Sequence, residues 1–491
     1  MLGDRPSLAS DDHEADTPRG RELFLREWVP GVFSTRGGDG LGPVYNDTSC
    51  VACHNLGGPG GGGSASKNID LLTASPVSVS GSTTEPEARL GLRGASSARS
   101  ASLARDERVR SLIASGRIAP PETPPDRVPL MAFHDGFRDF DSVVLHRFGV
   151  DDEYESWRMG VVHHSVSRQD QPARATAMGT GAVPRAGEKT PPPHGPFLLS
   201  LTQRNATALF GAGLIDSVPD HVIEAQTRSR HEGFPEIRGR AALLPNGQFG
   251  RFGWKGQGGS LEDFVLGACA IELGLEVPGH PQAAGPEGVT GKPPGLDLSA
   301  EDCVALTNYV RSLPRPAEQA PLSPDEVERI RLGKILFRGV GCAECHVPSL
   351  GSIKGIYSDL LLHDMGTSLG DRSVGRYGRT SKSFVEAGFP AGPAAFQGGR
   401  RALLGPSRDE WRTPPLWGLR DSGPYLHDGS ADTLEEAVVR HGGEAEPTAQ
   451  RYAQLTARQR RDLQAFLATL VAPNLTAPNP ARPAPAEQRN R

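Results

Sequence analysis

No run of about 18 apolar residues occurs in the 491-residue chain, so the sequence offers no membrane-spanning helix. Aromatic residues are scarce at 6%, and the two signs of charge nearly balance: 53 Lys and Arg against 58 Asp and Glu, a formal net charge of −5. No Lys/Arg run stands out, which removes the electrostatic footprint of a nucleic-acid or anionic-membrane binder. Cysteine is sparse, six residues in all. The stretch Met1–Gly20 is acidic and polar and lacks the apolar core of an export signal. Gly and Pro are plentiful, at 60 and 43 residues, in a chain that is 37% hydrophobic. That composition describes loop-rich domains with buried cores, and the length allows two or three of them.

Four of the six cysteines sit in two short motifs, Cys50-Val-Ala-Cys53-His54 and Cys342-Ala-Glu-Cys345-His346. Cys-x-x-Cys-His is the attachment signature of c-type haem: the thiols bond to the vinyl groups and the adjacent His offers a proximal nitrogen to iron. Two covalently attached haems are therefore expected. The competing reading is a zinc site built from two Cys-x-x-Cys pairs. The pairs lie far apart and each is followed directly by His, which favours haem. Cys269 and Cys303 read either as one disulfide or as two small buried hydrophobes. Because haem is normally attached to such motifs after export, the expected location is periplasmic or exported, although no signal peptide is visible.

Each motif is introduced in the same way. Gly20-Arg-Glu-Leu-Phe24, in a short helix reaching Trp28, leads through a Gly-rich loop to Cys50. Gly333-Lys-Ile-Leu-Phe337, in a helix with Ser323, Asp325 and Glu326 at its start, leads to Cys342. This is an internal repeat of two cytochrome c-like units. Residues 1–18 read as a disordered lead and 19–316 as an N-terminal unit with an insertion at about 60–195. The Pro-rich segment Pro314–Pro321 precedes a C-terminal unit, 322–472, and a disordered tail, 473–491. Residues 55–125 are expected to be exposed and irregular, and the run Gly57–Gly63 to be flexible loop rather than a phosphate cradle. Strands are expected at Ser142–His146 and Gly160–Ser165. Helices are expected at Leu198–Ile215, Ser260–Leu275, Ala300–Leu313, Thr433–His441 and Thr456–Leu470. The fold class is mainly α, with a few strands in the loop-rich insertion.

Further segments follow in order over residues 20–470: Asp39-Gly-Leu-Gly-Pro43, Gly250-Arg-Phe-Gly-Trp-Lys255, and Ser358-Asp-Leu-Leu-Leu-His-Asp-Met-Gly366. The longest is Glu410-Trp-Arg-Thr-Pro-Pro-Leu-Trp-Gly-Leu419, with Gly423-Pro-Tyr-Leu-His-Asp-Gly429, Thr433-Leu-Glu-Glu-Ala437 and His441-Gly-Gly-Glu444 after it. Together they resemble the di-haem oxidoreductase family, which is similar in turn to the bacterial di-haem cytochrome c peroxidases. The resemblance implies two cytochrome c-like domains facing each other. It also implies hydrogen peroxide or another small oxidant reacting at the N-terminal haem, and electrons entering at the C-terminal haem from a small c-type cytochrome or copper protein. Such chemistry needs an open iron position, a group that moves a proton and a source of electrons.

Trp254, in Trp254-x-Gly256 before Ser260-Leu-Glu262, resembles the tryptophan that lies between the haems of those peroxidases; the alternative is a core Trp holding a loop. Glu272 sits on an otherwise apolar helix, where burial would raise its pKa and suit it to acid/base work. The peroxidase relatives place an acid near this point, and a surface Glu is the alternative. The resemblance further implies His194 as a distal blocker of the first haem and Asn205 as part of a calcium site. For the C-terminal iron the candidates are Met365, Tyr377 and His363, Met365 being a thioether that would raise the potential. His427, Asp428 and His441 read as hydrogen-bonded loop residues or partners of a haem propionate. The function expected is peroxidase-type. The alternatives are a non-catalytic di-haem electron carrier and a haem enzyme oxidising a protein or organic substrate.

Overall fold

The computed structural model describes residues 17–31, 36–76, 134–138, 142–164, 166–167, 197–244, 246–283, 285–286, 295–316, 318–370, 395–397, 400–402 and 406–474. The expected disordered lead, apart from its last residues, and the expected tail beyond residue 474 lie outside the described residues, as do His194 and Tyr377. No helix among the described residues is long and apolar enough to cross a membrane.

The repeated Gly-x-x-Leu-Phe segment explains how both motifs are delivered. In the first copy it lies on the Thr17–Leu25 helix, which crosses the Ala300–Ser312 helix. A Cβ at Gly20 would stand 2.0 Å from the Ala305 carbonyl oxygen, so only glycine allows the helices this approach. Leu23 and Phe24 are then driven into the core, and Phe24 meets Tyr309 at 5.2 Å between ring centroids. The second copy, on the Pro324–Val340 helix, repeats the device against the Ala457–Leu467 helix. A Cβ at Gly333 would lie 2.2 Å from Asp462 O, and Phe337 packs edge-on to Phe466 at 5.3 Å.

The helix ends are set by their own sequences. Ser323 accepts from Glu326 N and Pro324 opens the helix; Gly341, at φ 109°, closes it and turns the chain into Cys342. Ser299 with Asp302, Thr433 with Glu436 and Thr456 with Gln459 form capping boxes. The expected helices at residues 260–275, 300–313, 433–441 and 456–470 are present as Leu261–Glu272, Ala300–Ser312, Leu434–Val439 and Ala457–Leu467.

Three expectations in and just after the insertion are corrected. Leu198–Ile215 is not helical throughout: Phe197–Arg204 is a strand, and only Ala212–Asp216 is a helix. Gly160–Ser165 is not a strand, because its residues up to His164 close the Tyr154–His164 helix, where Tyr154, Trp157 and Val161 recur at helical spacing and are all buried. The stretch 55–125 is not irregular throughout, since Ile69–Pro76 is an inner strand.

These strands form one four-stranded sheet in the order Ser142–Leu145, Ile69–Pro76, Phe197–Arg204, Val166–Ser167, antiparallel except for the last pair. Leu72, Val143 and Leu145 on the sheet bury against Trp157 and Val161 of the helix, with Phe137 between them. The opposite face carries Leu71 and Val144 onto Ile271, at the end of the Leu261–Glu272 helix. The insertion is thus docked on the helix that carries Glu272.

Candidate functional site

The first motif makes a single helical turn, Cys50–Cys53, on the wall of a cavity of about 200 Å³. A water needs about 10–15 Å³, so the space suits a much larger group. Cys50, Cys53 and His54 share the wall with Glu272, Trp254 and Arg204. His54 Nδ1 donates to the Gly61 carbonyl at 3.3 Å, and burial pushes its pKa down, so the ring is neutral.

The second cavity, of about 290 Å³, is bordered by Cys342, Cys345 and His346. His346 Nδ1 donates to Tyr357 O at 2.9 Å, and burial lowers its pKa to about 4. In both motifs one ring nitrogen is spent on a carbonyl and the imidazole is neutral, which leaves Nε2 as a metal ligand of fixed tautomer. With two thiols beside each ring and apolar walls around them, both sets of residues fit a haem.

The structure brings Glu272 to the first cavity. Its Oε2 accepts from Asn46 Nδ2 at 2.6 Å. Burial raises its pKa to about 7, the Asn46 hydrogen bond opposing the rise. Asp47 pairs with Lys67, and Cys53 Sγ lies 3.6 Å from Asp47 Oδ2. Cys269 and Cys303 are both buried and unbonded, Cys269 on the cavity wall.

Trp254 borders both cavities. Its Nε1 donates to Asn205 O at 2.9 Å, and its own carbonyl accepts from Arg412 N at 2.9 Å. The His427 ring meets it edge-on at 6.4 Å and stacks on Trp411 at 3.6 Å. The Lys255 ammonium lies 3.7 Å, and the Arg204 guanidinium 4.8 Å, from the centroid of the Trp411 ring. Lys255 is fully buried and donates to the carbonyls of Ser407, Arg408 and Glu410.

Asn205 Nδ2 donates to Gly63 O and to Asn68 Oδ1, while Asn68 Nδ2 donates to Asp428 O.

Among the described residues, His363, Met365, His427, His441 and the phenol of Tyr425 line the second cavity besides His346. His363 has Nε2 on Asp359 at 2.9 Å and Nδ1 on Glu444 at 2.8 Å, so both nitrogens face carboxylates. Burial opposes its charge, yet Cys345 and Asp359 outweigh that and hold its pKa well above the usual value. Met365 is half-buried on the wall. His441 is the residue that sequence reading set aside. Its Nδ1 donates to Ala437 O at 2.7 Å and burial lowers its pKa, the same state in which His54 and His346 are held. Its signals in the sequence were its place two residues after a helix-forming Ala437-Val-Val and the His441-Gly-Gly-Glu444 segment it opens.

Comparison with known proteins gives a family model described as "Di-haem oxidoreductase, putative peroxidase", matched over residues 393–470. The methylamine utilization protein MauG of Methylorubrum extorquens is 33% identical over 148 residues, 28% of this chain and 34% of that protein. Hydrazine synthase subunit gamma of Kuenenia stuttgartiensis is 30% identical over 163 residues, 30% of this chain and 45% of that one. Cytochrome-c peroxidase IdrP2 of a Pseudomonas species is 31% identical over 159 residues, 31% of this chain and 42% of that one. The chain thus spans less than half the length of each of these relatives. Over these residues the chain is similar to di-haem oxidoreductases, a likeness that implies haem as cofactor.

Proposed function

We propose that the protein is a di-haem peroxidase-type oxidoreductase, with haem bonded to Cys50 and Cys53 and to Cys342 and Cys345, and with His54 and His346 as proximal ligands. One observation carries the reading: the two cavities are unequal. Among the described residues, the first offers no His or Met besides His54 and instead presents a carboxyl that titrates near pH 7; the second offers His441 and Met365. The first is suited to an open iron and the second to a six-coordinate one that passes electrons. When bound, haem supplies the redox centre at which peroxide is reduced.

The chain's own residues supply the rest. Glu272 stands near its midpoint at neutral pH, where a carboxyl can take the first proton from peroxide and return it to the departing oxygen. Asn46 fixes one of its oxygens. Trp254, on the wall common to both cavities, is placed as the electron relay. His441, with Nδ1 anchored, is the better-prepared second ligand of the C-terminal iron, ahead of Met365. The two units, 19–316 and 322–472, are the two haem domains of this reading, facing each other across Trp254. The electron donor would be a small c-type cytochrome or copper protein in an exported setting.

The test is expression with an export signal and a haem-maturation system, followed by optical and electron spin resonance spectra and turnover with peroxide and a reduced small cytochrome. The reading expects two covalent haems, one open and one six-coordinate, and donor oxidation that depends on Glu272. Two six-coordinate, peroxide-inert haems would leave an electron carrier instead.

A further inference from the structure

We propose that the insertion's sheet is the outer wall of the N-terminal site and acts on it through Asn46, whose amide it orients toward Glu272. The inference rests on reading Glu272 as the acid/base of the site.

The sheet docks on the last turn of the Leu261–Glu272 helix. Leu71 and Val144, from adjacent strands, pack on Ile271, and His146 Nε2 donates to Ile271 O at 2.7 Å. The next residue of the insertion, Arg147, gives its main-chain N–H to Asn46 Oδ1 at 3.0 Å. A main-chain N–H can only donate, so the amide oxygen must face Arg147 and the NH2 must face the carboxyl. Asn46 Nδ2 then reaches Glu272 Oε2 at 2.6 Å, while Asn46 N meets Glu272 O at 2.7 Å. Without the Arg147 donor the amide could turn over and present its oxygen to Glu272, repelling the carboxylate. The insertion therefore selects which end of an amide the carboxyl meets.

Other groups around the cavity do not replace this contact. Asp47 is paired with Lys67; Cys53 borders the same space; Arg204 comes from the sheet; Asp263 lies on the same helix as Glu272. The His146 ring is turned to the Ile271 carbonyl, and the Arg147 guanidinium donates to Asn68 O at 2.9 Å. Asn46 is the side chain hydrogen-bonded to the Glu272 carboxyl, and it favours the ionised form that burial disfavours.

Asn46 is thus a positioning residue, and Arg147 acts through its backbone. The test is infrared difference titration of the protonated carboxyl on the haem-loaded protein without peroxide, the band being assigned by its loss in Glu272→Gln. Asn46→Leu is expected to raise the midpoint by about one pH unit, the worth of one hydrogen bond to a charged group. Arg147→Pro, which removes the main-chain N–H, should raise it similarly, and Arg147→Ala, which keeps that N–H, should not. The double variant Asn46→Leu/Arg147→Pro should move it no further than Asn46→Leu alone. Should Arg147→Pro not fold, Asn46→Asp serves: it can still accept from Arg147 but brings a like charge to Glu272, so the midpoint must rise above that of Asn46→Leu. An unchanged midpoint in Asn46→Leu, or a rise in Arg147→Pro that adds to that of Asn46→Leu, overturns the proposal. A wild-type carboxyl that responds as stated in a protein inert to peroxide would sink the peroxidase reading and leave this one standing.

Discussion

Glu272 follows an almost wholly apolar turn, Ala268-Cys-Ala-Ile271, and that alone raises its pKa: a carboxyl withdrawn from water keeps its proton. Two outcomes follow. Glu272→Gln should lower peroxide turnover by about 10²–10⁴-fold, the usual worth of a positioned acid/base, with haem content unchanged. It should also alter stability with a definite sign. Between pH 4.5, the ordinary value, and about 7, the unfolded chain has released this proton and the folded chain holds it, so stability falls as pH rises through that window and is level above it. The fall is about 3 kcal/mol at most. Urea denaturation of wild type and Glu272→Gln across the window should show the wild-type decline flattened in the variant. At the other cavity, His441→Ala should convert the six-coordinate spectrum of the C-terminal haem to five-coordinate, whereas Met365→Ala should leave it; the reverse result would return the ligand role to Met365. His441 was readable as a residue type but not as a ligand, because its one informative feature, Nδ1 tied to the carbonyl four residues back, exists only once the Leu434–Val439 helix has formed.

At the scale of elements, the repeated Gly-x-x-Leu-Phe helices were legible because helical spacing, caps and the closing motif are all local signals. Ser323 announces a helix that is present, and Ser299, Thr433 and Thr456 cap three others in the structure. The insertion was not legible for the opposite reason. Ile69–Pro76 pairs with residues more than 120 positions away, and nothing within eight residues records that partner. Phe197–Arg204 was misread as helix since Leu198-Leu199 and Leu201 suit either period, and only the sheet decides between them. The glycine of the repeat carries the prediction at this scale. Gly333→Val places a branched side chain where one Cβ already meets Asp462 O at 2.2 Å, so the Pro324–Val340 helix must lift from its partner. The expected loss is about 3 kcal/mol, the upper range for overpacking a core, together with incomplete haem attachment at Cys342 and Cys345. Denaturant unfolding and haem-to-protein stoichiometry measure both; a variant with wild-type stability would show that the close crossing is not what seats the motif.

Across the whole molecule, the segment from Arg204 to Lys255 serves both halves at once. Arg240 pairs with Glu410, Arg412 holds the carbonyls of Gly253 and Trp254, and Lys255 is buried among the carbonyls of residues 407–410. The two cavities therefore share their wall, and neither half can relax without moving the other. Left without haem, the largely apolar walls of these spaces of about 200 and 290 Å³ would stand in contact with water, which loosens the packing on both sides of the shared wall. The chain made without haem maturation, or with Cys50, Cys53, Cys342 and Cys345 all replaced by Ser, should keep much of its far-UV circular dichroism. It should lose its near-UV signal and its cooperative thermal transition. Replacing only one pair should weaken protection from hydrogen exchange around both cavities, because residues 204–255 border each of them. Loss of protection confined to the altered cavity would mean that the shared wall is rigid without its contents and that the two sites fold independently.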